Sequence, residues 1–376
     1  MMFSGSIRSL SRRFHLAKKQ LLHNKLEIAS KACCEVSSES ASSSTSYSGA
    51  VLKEFQGQLH IEQFEERKDA ALKEREIRVK VDSAGVNKAD VLIVKGLHHL
   101  KPKTPYVPGF ELAGEVIEIG KGVTTFKPGD RILGLKSIGA GAFAQKCVLD
   151  ADEAFAIPHS INFDTAVCLP VAYGTAFLAL GKIAKLQESD YILVLTSQGS
   201  SGMAAIDMAL NYYRCKNVIA ACESEAKCAS VRPSGVLSTV EYTDENIVRN
   251  VMKITRGAGV DYVVDTVGGF WFDLALKCLK PGGRLFSFGF SSGQIPAVSL
   301  QELVQLRATV TGVWLGGFVR EKPAEFYRII EKLIEARDEG YISPLIAATF
   351  PLEKVNEAVS AVDQNKSIGK TILTLR

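Results

Sequence analysis

Between about residues 50 and 170 the chain runs in short segments of strand length. IRVKV alternates apolar and polar positions, and AGEVIEIG, DRILGL and FAQKCVL follow it, separated by GKGVTTFKPGD and GAGA. A period of two sends successive side chains to opposite faces of a sheet, and the glycine-rich breaks supply turns. The pattern predicts a β-barrel-like domain over residues 47–172.

From about residue 173 the pattern changes. YILVL, NVIAA, STVEY, DYVVDTV and GRLFSFGF alternate with the helix-like segments GMAAIDMALNYY, EAKCASV, ENIVRNVMKIT and FDLALKCL. Strand and helix in turn predict a parallel, doubly wound sheet over residues 173–318. The closing segments FYRIIEKLIEARDEG, LIAATFPL, LEKVNEAVSAV and KTILTL leave that rhythm, so residues 319–376 are expected to return and complete the first domain.

The N-terminal stretch follows neither pattern. Phe3, Ile7, Leu10, Phe14, Ala17 and Leu21 recur at helical spacing, and residues 1–26 carry six Lys and Arg and no acid. This is the composition of a mitochondrial transit peptide, with a disordered basic tail as the alternative. The Ser-rich SSESASSSTSYS is expected to be a flexible linker, so that residues 1–46 form presequence and linker ahead of a protein of the mitochondrial matrix.

Charge is altered by this segment. The whole chain has a net charge of +4, but without those six residues 39 basic side chains face 41 acidic ones. The body therefore lacks the basic excess of a nucleic-acid-binding protein, and no nucleic-acid partner is expected. No membrane span is expected either, since no run is read as approaching roughly 18 uninterrupted apolar residues. The eight cysteines, at 33, 34, 147, 168, 215, 222, 228 and 278, show no C-x-x-C spacing. They read as free thiols rather than as a disulfide framework or a zinc ribbon.

The candidate chemistry begins at YILVLTSQGSSGMAA, where an apolar run, a Gly/Ser turn and small residues opening a helix follow one another. Such a turn aims backbone N–H groups and the positive helix end at a pyrophosphate. Only Gly199 and Gly202 keep the dinucleotide-binding glycine pattern, with Ser197 at the first position. A degenerate turn in a protein that has lost its cofactor is the alternative.

Several longer stretches, in this order, resemble the zinc-free quinone oxidoreductases of the medium-chain dehydrogenase/reductase superfamily. They are AGVNKADVLIVKG, PYVPGFELAGEVIEIGKGVTTFKPGDRI, LPVAYGTAFLAL, VLTSQGSSGMAAIDMA, GVDYVVDTVGG and LKPGGRLFSFGFSSG. The resemblance implies an α/β protein with a GroES-like β-barrel domain and a Rossmann doubly wound parallel sheet. At the positions where zinc-dependent relatives hold the catalytic metal it puts Asn87, Phe110 and Val171, and neither Phe nor Val can donate to Zn²⁺. No metal is expected. Asn87 and Thr175 are implied to line the nicotinamide pocket, their alternatives being a turn residue and a helix cap. His98 stands where related reductases carry Tyr and could donate a proton to a developing enolate, or be a solvated loop histidine beside His99.

Cofactor choice rests on NVIAACESEAK. NAD-specific relatives place an acid where Cys222 stands, and the adjacent Glu223 could bind the ribose or repel a phosphate. Lys227 and Tyr242 match positions that meet the 2′-phosphate in quinone oxidoreductases, which implies NADPH; an exposed helix lysine is the alternative for Lys227. Val267, Phe288, Gly289 and Lys370 are placed at the cofactor by the same resemblance. The implied activity is hydride transfer from NADPH to a small-molecule acceptor, a quinone or an α,β-unsaturated carbonyl. The alternatives are an enoyl thioester reductase and a non-catalytic NADPH-binding structural or RNA-associated protein. TVTGVWLGGF, residues 309–318, reads as an apolar, β-rich edge through which two copies would pair near Val310 to Trp314 as a homodimer.

Overall fold

In the first half, alternation becomes a sheet with one wet and one dry face. The computed structural model describes residues 46–65, 71–136, 141–196, 199–242, 246–365 and 368–376. Strands β1 (Ser46–Leu52), β2 (Leu59–Glu65), β3 (Glu76–Val86), β4 (Glu111–Ile119), β5 (Arg131–Leu135), β6 (Lys146–Asp150) and β7 (Ala154–Ala156) come first. On β3, Ile77, Val79 and Val81 are fully buried while Lys80 between them is exposed. β3 pairs antiparallel with both β4 and β6, and β4 with β5.

The second half forms a six-stranded parallel sheet from β8 (Tyr191–Leu195), β9 (Asn217–Cys222), β10 (Ser238–Glu241), β11 (Val260–Asp265), β12 (Leu279–Ser287) and β13 (Thr309–Gly312). Their spatial order is β10-β9-β8-β11-β12-β13. Helices cover both faces, so these strands are nearly continuous apolar runs, with Ile192 to Leu195 and Val218 to Cys222 all buried. Strand order reverses between β8 and β11, which opens a crevice beyond the carboxyl ends of the two strands. The last strands, β14 (Ile346–Pro351) and β15 (Lys370–Thr374), leave this sheet, and β15 pairs antiparallel with β3 in the first one.

Three expectations change. The Ser-rich linker ends earlier than its composition suggests, because β1 starts at Ser46: Tyr47 stacks on Phe64 and the Ser48 N–H donates to Gln145 Oε1 at 2.8 Å. The edge segment is strand only to Gly312, and a helix begins at Leu315 (Leu315–Glu321). Gly317 packs so closely on the Trp314 ring that a Cβ there would lie 2.5 Å from it, which turns the chain out of the sheet. Finally, the helix Phe163–Ala184 is long and apolar enough to cross a membrane by length and composition, contrary to expectation, but 72% of its most apolar window is buried inside the protein. Its apolarity is that of a core helix. Residues 1–45 and Ser197 lie outside the described residues.

Candidate active site

A cleft of about 410 Å³ lies between the two sheets. Its wall on the wound side starts at the helix Ser200–Asp207, whose N-cap is Gly199 and whose first turn has no side-chain cap. Ser200, Ser201 and Gly202 therefore present uncapped N–H groups along the cleft. Gly202 is required by close packing, since a Cβ there would sit 2.6 Å from Thr196 Oγ1. Phe288 and Gly289, just beyond β12, line the same wall. Val267 is buried behind it, its N–H donating to Asp265 Oδ1 at 2.8 Å, and it is not among the described lining residues.

The barrel wall carries a buried polar cluster. Asn87 precedes the helix Lys88–Val94, and its N–H donates to Asp90 Oδ2 at 2.9 Å. Burial pushes the Asp90 carboxyl up to about 7, against the pull of the Asn87 N–H and Lys370. The Asn87 amide Nδ2 donates to Glu111 Oε1 at 2.8 Å, and its Oδ1 accepts from Lys370 Nζ at 2.8 Å. Lys370 also pairs with Glu111, both side chains being essentially inaccessible to solvent. The second Glu111 oxygen accepts the Val171 N–H at 3.0 Å, and the Thr175 hydroxyl donates to Val171 O at 2.6 Å. Asn87 and Thr175, expected at the nicotinamide, both line the cleft; Asn87 is held by the Glu111 carboxylate directly, and Thr175 reaches it only through the backbone of Val171. Lys370, expected at the cofactor, is buried with its ammonium held by Glu111 and Asn87; its neighbours Gly369 and Thr371, but not Lys370 itself, are among the described cleft residues.

His98 lines the cleft and stacks on His99 with centroids 4.2 Å apart. Its Nδ1 accepts the Leu100 N–H at 3.1 Å, which assigns the ring proton to Nε2. Burial, and then the neighbouring His99, lower its pKa, so the ring is neutral at pH 7. Lys227, in the helix Glu225–Val231, is not among the described lining residues and pairs with Glu223 just after β9. Tyr242 is only 2% exposed, and its hydroxyl, whose pKa is raised chiefly by burial, lies in the interior rather than on the cleft.

The N-terminal part of the chain matches the family described as alcohol dehydrogenase GroES-like domain over residues 73–159, and residues 202–335 match the zinc-binding dehydrogenase family. A quinone oxidoreductase-like protein 2 homolog of Nematostella vectensis is 37% identical over 302 residues, covering 80% of this chain and 82% of that protein. The Mus musculus quinone oxidoreductase-like protein 2 is 36% identical, covering 80% and 85%. The chain belongs to the quinone oxidoreductase-like family of medium-chain dehydrogenases/reductases. The segment from Arg214 to Lys227, with its basic stretch in front, resembles the same protein 2 branch. Among solved structures, Escherichia coli quinone oxidoreductase complexed with NADPH superposes with a TM-score of 0.79 at 27% identity, covering 87% of this chain and 99% of that one.

The zinc of the matched zinc-binding dehydrogenase family does not fit these residues. Phe110 offers no donor atom, Val171 offers only a backbone N–H already given to Glu111, and the Glu111 carboxylate is neutralised by Lys370. A nicotinamide cofactor does fit this quinone oxidoreductase-like chain: the uncapped turn at Gly199, the close packing at Gly202 and the open backbone at Gly289 leave room for a dinucleotide phosphate. The sequence reading does not bring Glu111 or Arg320 into the site, and it places Trp314 only at the sheet edge rather than in the cleft. The apolar GFE context of Glu111 was the available signal, since a carboxylate there has to find a buried partner.

Proposed function

We propose that this protein is a zinc-independent reductase that takes hydride from NADPH to a quinone or an α,β-unsaturated carbonyl, as a homodimer in the mitochondrial matrix. The observation that carries this reading is the Lys370–Glu111–Asn87 cluster, which fills the place of a metal beside an uncapped helix N-terminus. When bound, the nicotinamide supplies a hydride equivalent to the electron-poor carbon of the acceptor. The protein supplies placement and charge. N–H groups of Ser200, Ser201 and Gly202 hold the pyrophosphate, and Lys227 exchanges Glu223 for the 2′-phosphate. One Asn87 Nδ2–H is held by Glu111, and the second, engaged with Gly85 O at 3.5 Å, is the one that orients the nicotinamide amide or the acceptor oxygen.

His98 contributes a neutral Nε2–H to the acceptor oxygen, where negative charge builds as hydride arrives. A hydrogen bond made there, stronger in the transition state than in the ground state, accelerates the step. The remaining proton comes from water. The test is NADPH oxidation by purified protein lacking the presequence against quinones, enals and enoyl thioesters, with bound metal measured in parallel. Turnover of a quinone or enone by metal-free protein is expected. Dependence on stoichiometric zinc, or NADPH binding without turnover of any acceptor, would overturn it.

A further inference from the structure

The charged groups along the cleft are all of one sign. Lys88, Lys136 and Arg320 line it, and none of the described lining residues is an acid. Two of these cations are already engaged. Lys88 shares Asp363 with Lys95, and Lys136 donates to Val148 O at 2.6 Å. Arg320, exposed near the end of the helix Leu315–Glu321, instead lies over the Trp314 ring, 5.1 Å from its centroid. No carboxylate pairs with it among the described residues. His99 meets the same indole edge-on at 5.2 Å, and His98 stacks behind it. The indole is 51% exposed, so this aromatic and cationic group forms part of the open side of the cleft.

Between this group and the cluster at Asn87 the walls are apolar, from Leu92, Leu100, Phe110 and Val319 among others. A guanidinium lying over an indole keeps N–H donors for a planar anion such as a carboxylate or phosphate. The pyrophosphate of a dinucleotide already has the uncapped turn at Gly199, so Arg320 is left for another anion.

We propose that the acceptor is amphipathic, an apolar conjugated head with an anionic tail, and that Arg320 on its Trp314 platform selects it by binding that anion. This rests on the reductase reading above and adds the class of substrate. Hydride and proton are balanced as there, and the anionic group does not react. A carboxylate tail and a phosphate tail share this chemistry.

The experiment compares three probes with one head: a vinyl ketone with a terminal carboxylate, its methyl ester, and the matching phosphate monoester. The expected result is a kcat/KM at least about tenfold higher for one or both anions than for the ester, the size of a single charged hydrogen bond. Arg320→Gln should remove that preference through KM, leaving the ester and the Kd for NADPH unchanged, and Arg320→Lys should restore part of it. Which anion gains more distinguishes a free acid from a phosphorylated carrier. In a Trp271→Phe background the remaining Trp314 reports binding by fluorescence, so anion binding is read even if no probe turns over. Equal rates for ester and anions, or a preference that survives in Arg320→Gln, would overturn the proposal while leaving the reductase reading intact. Weaker NADPH binding in Arg320→Gln would assign the arginine to the cofactor and overturn it too. No turnover of any probe together with anion-dependent quenching would strike the reductase reading alone.

Discussion

At the scale of single residues, two ion pairs set the behaviour of the cleft. Lys227 and Glu223 hold each other just after β9, so a 2′-phosphate bound there, as proposed above, would have to displace a carboxylate to reach the ammonium. Lys227→Ala is expected to weaken NADPH by about 1.5–3 kcal/mol, the range for a charged hydrogen bond, while NADH is nearly unaffected; calorimetric titration with both cofactors checks it. Glu223→Gln should move the other way and tighten NADPH, because it removes a like charge from the phosphate site. The second pair, Lys370–Glu111, is buried. Lys370→Met strands a carboxylate in the interior and is expected to cost about 3–5 kcal/mol in urea unfolding, whereas Lys370→Met with Glu111→Gln should recover most of that loss. Additive losses in the double variant would mean the two do not act as a pair.

At the scale of elements, the strands were legible because their burial follows a local period. Alternation in IRVKV and continuous runs in YILVL and NVIAA correspond to a sheet buried on one face and a sheet buried on both. What was not legible depends on partners far apart in the chain. Asn87 meets Glu111 across 24 positions and Lys370 across 283, and no spacing rule connects them. Nothing in the sequence signals that Lys370 pairs with Glu111 and Asn87; that follows only from β15 running beside β3. The edge segment misled for a different reason, since the Gly316–Gly317 pair reads as a strand break only once the Trp314 ring fills the space their missing side chains leave. The phosphate turn tests the same kind of packing. Gly202→Val adds a branched side chain against Thr196 and should displace the start of the helix Ser200–Asp207. Loss of NADPH binding by more than about tenfold is expected, with the unfolding free energy lowered by about 1–3 kcal/mol, the cost of overpacking such a site. Unchanged cofactor affinity would show that this turn does not hold the phosphates.

At the scale of the whole molecule, one proposal concerns where it goes and another how it assembles. If the basic stretch ahead of β1 is a transit peptide, a reporter fused to residues 1–46 should reach mitochondria, and Arg8, Arg12 and Arg13→Glu should leave it in the cytosol. Imaging with a mitochondrial marker decides this. Assembly turns on β13, the last strand of the parallel sheet, which among the described residues has a partner on one side only, β12. Unpaired N–H and C=O groups along such an edge invite another strand. A two-fold axis beside β13 would satisfy both copies at once and continue one sheet through two subunits. The flanking helix Leu300–Leu306 strengthens the case, because Leu300 and Val304 are each 76% exposed on the single chain and would gain cover from a partner. The strand is only four residues long, so the ladder and this apolar helix face would have to contribute together. Sedimentation of the protein lacking residues 1–45 is expected to show a dimer. Val310→Pro, which removes a donor from the short ladder, and Leu300→Glu with Val304→Glu, which charges the helix face, should each shift it toward monomer. An unmutated protein that sediments as a monomer at micromolar concentration would require the β13 edge to be covered in some other way.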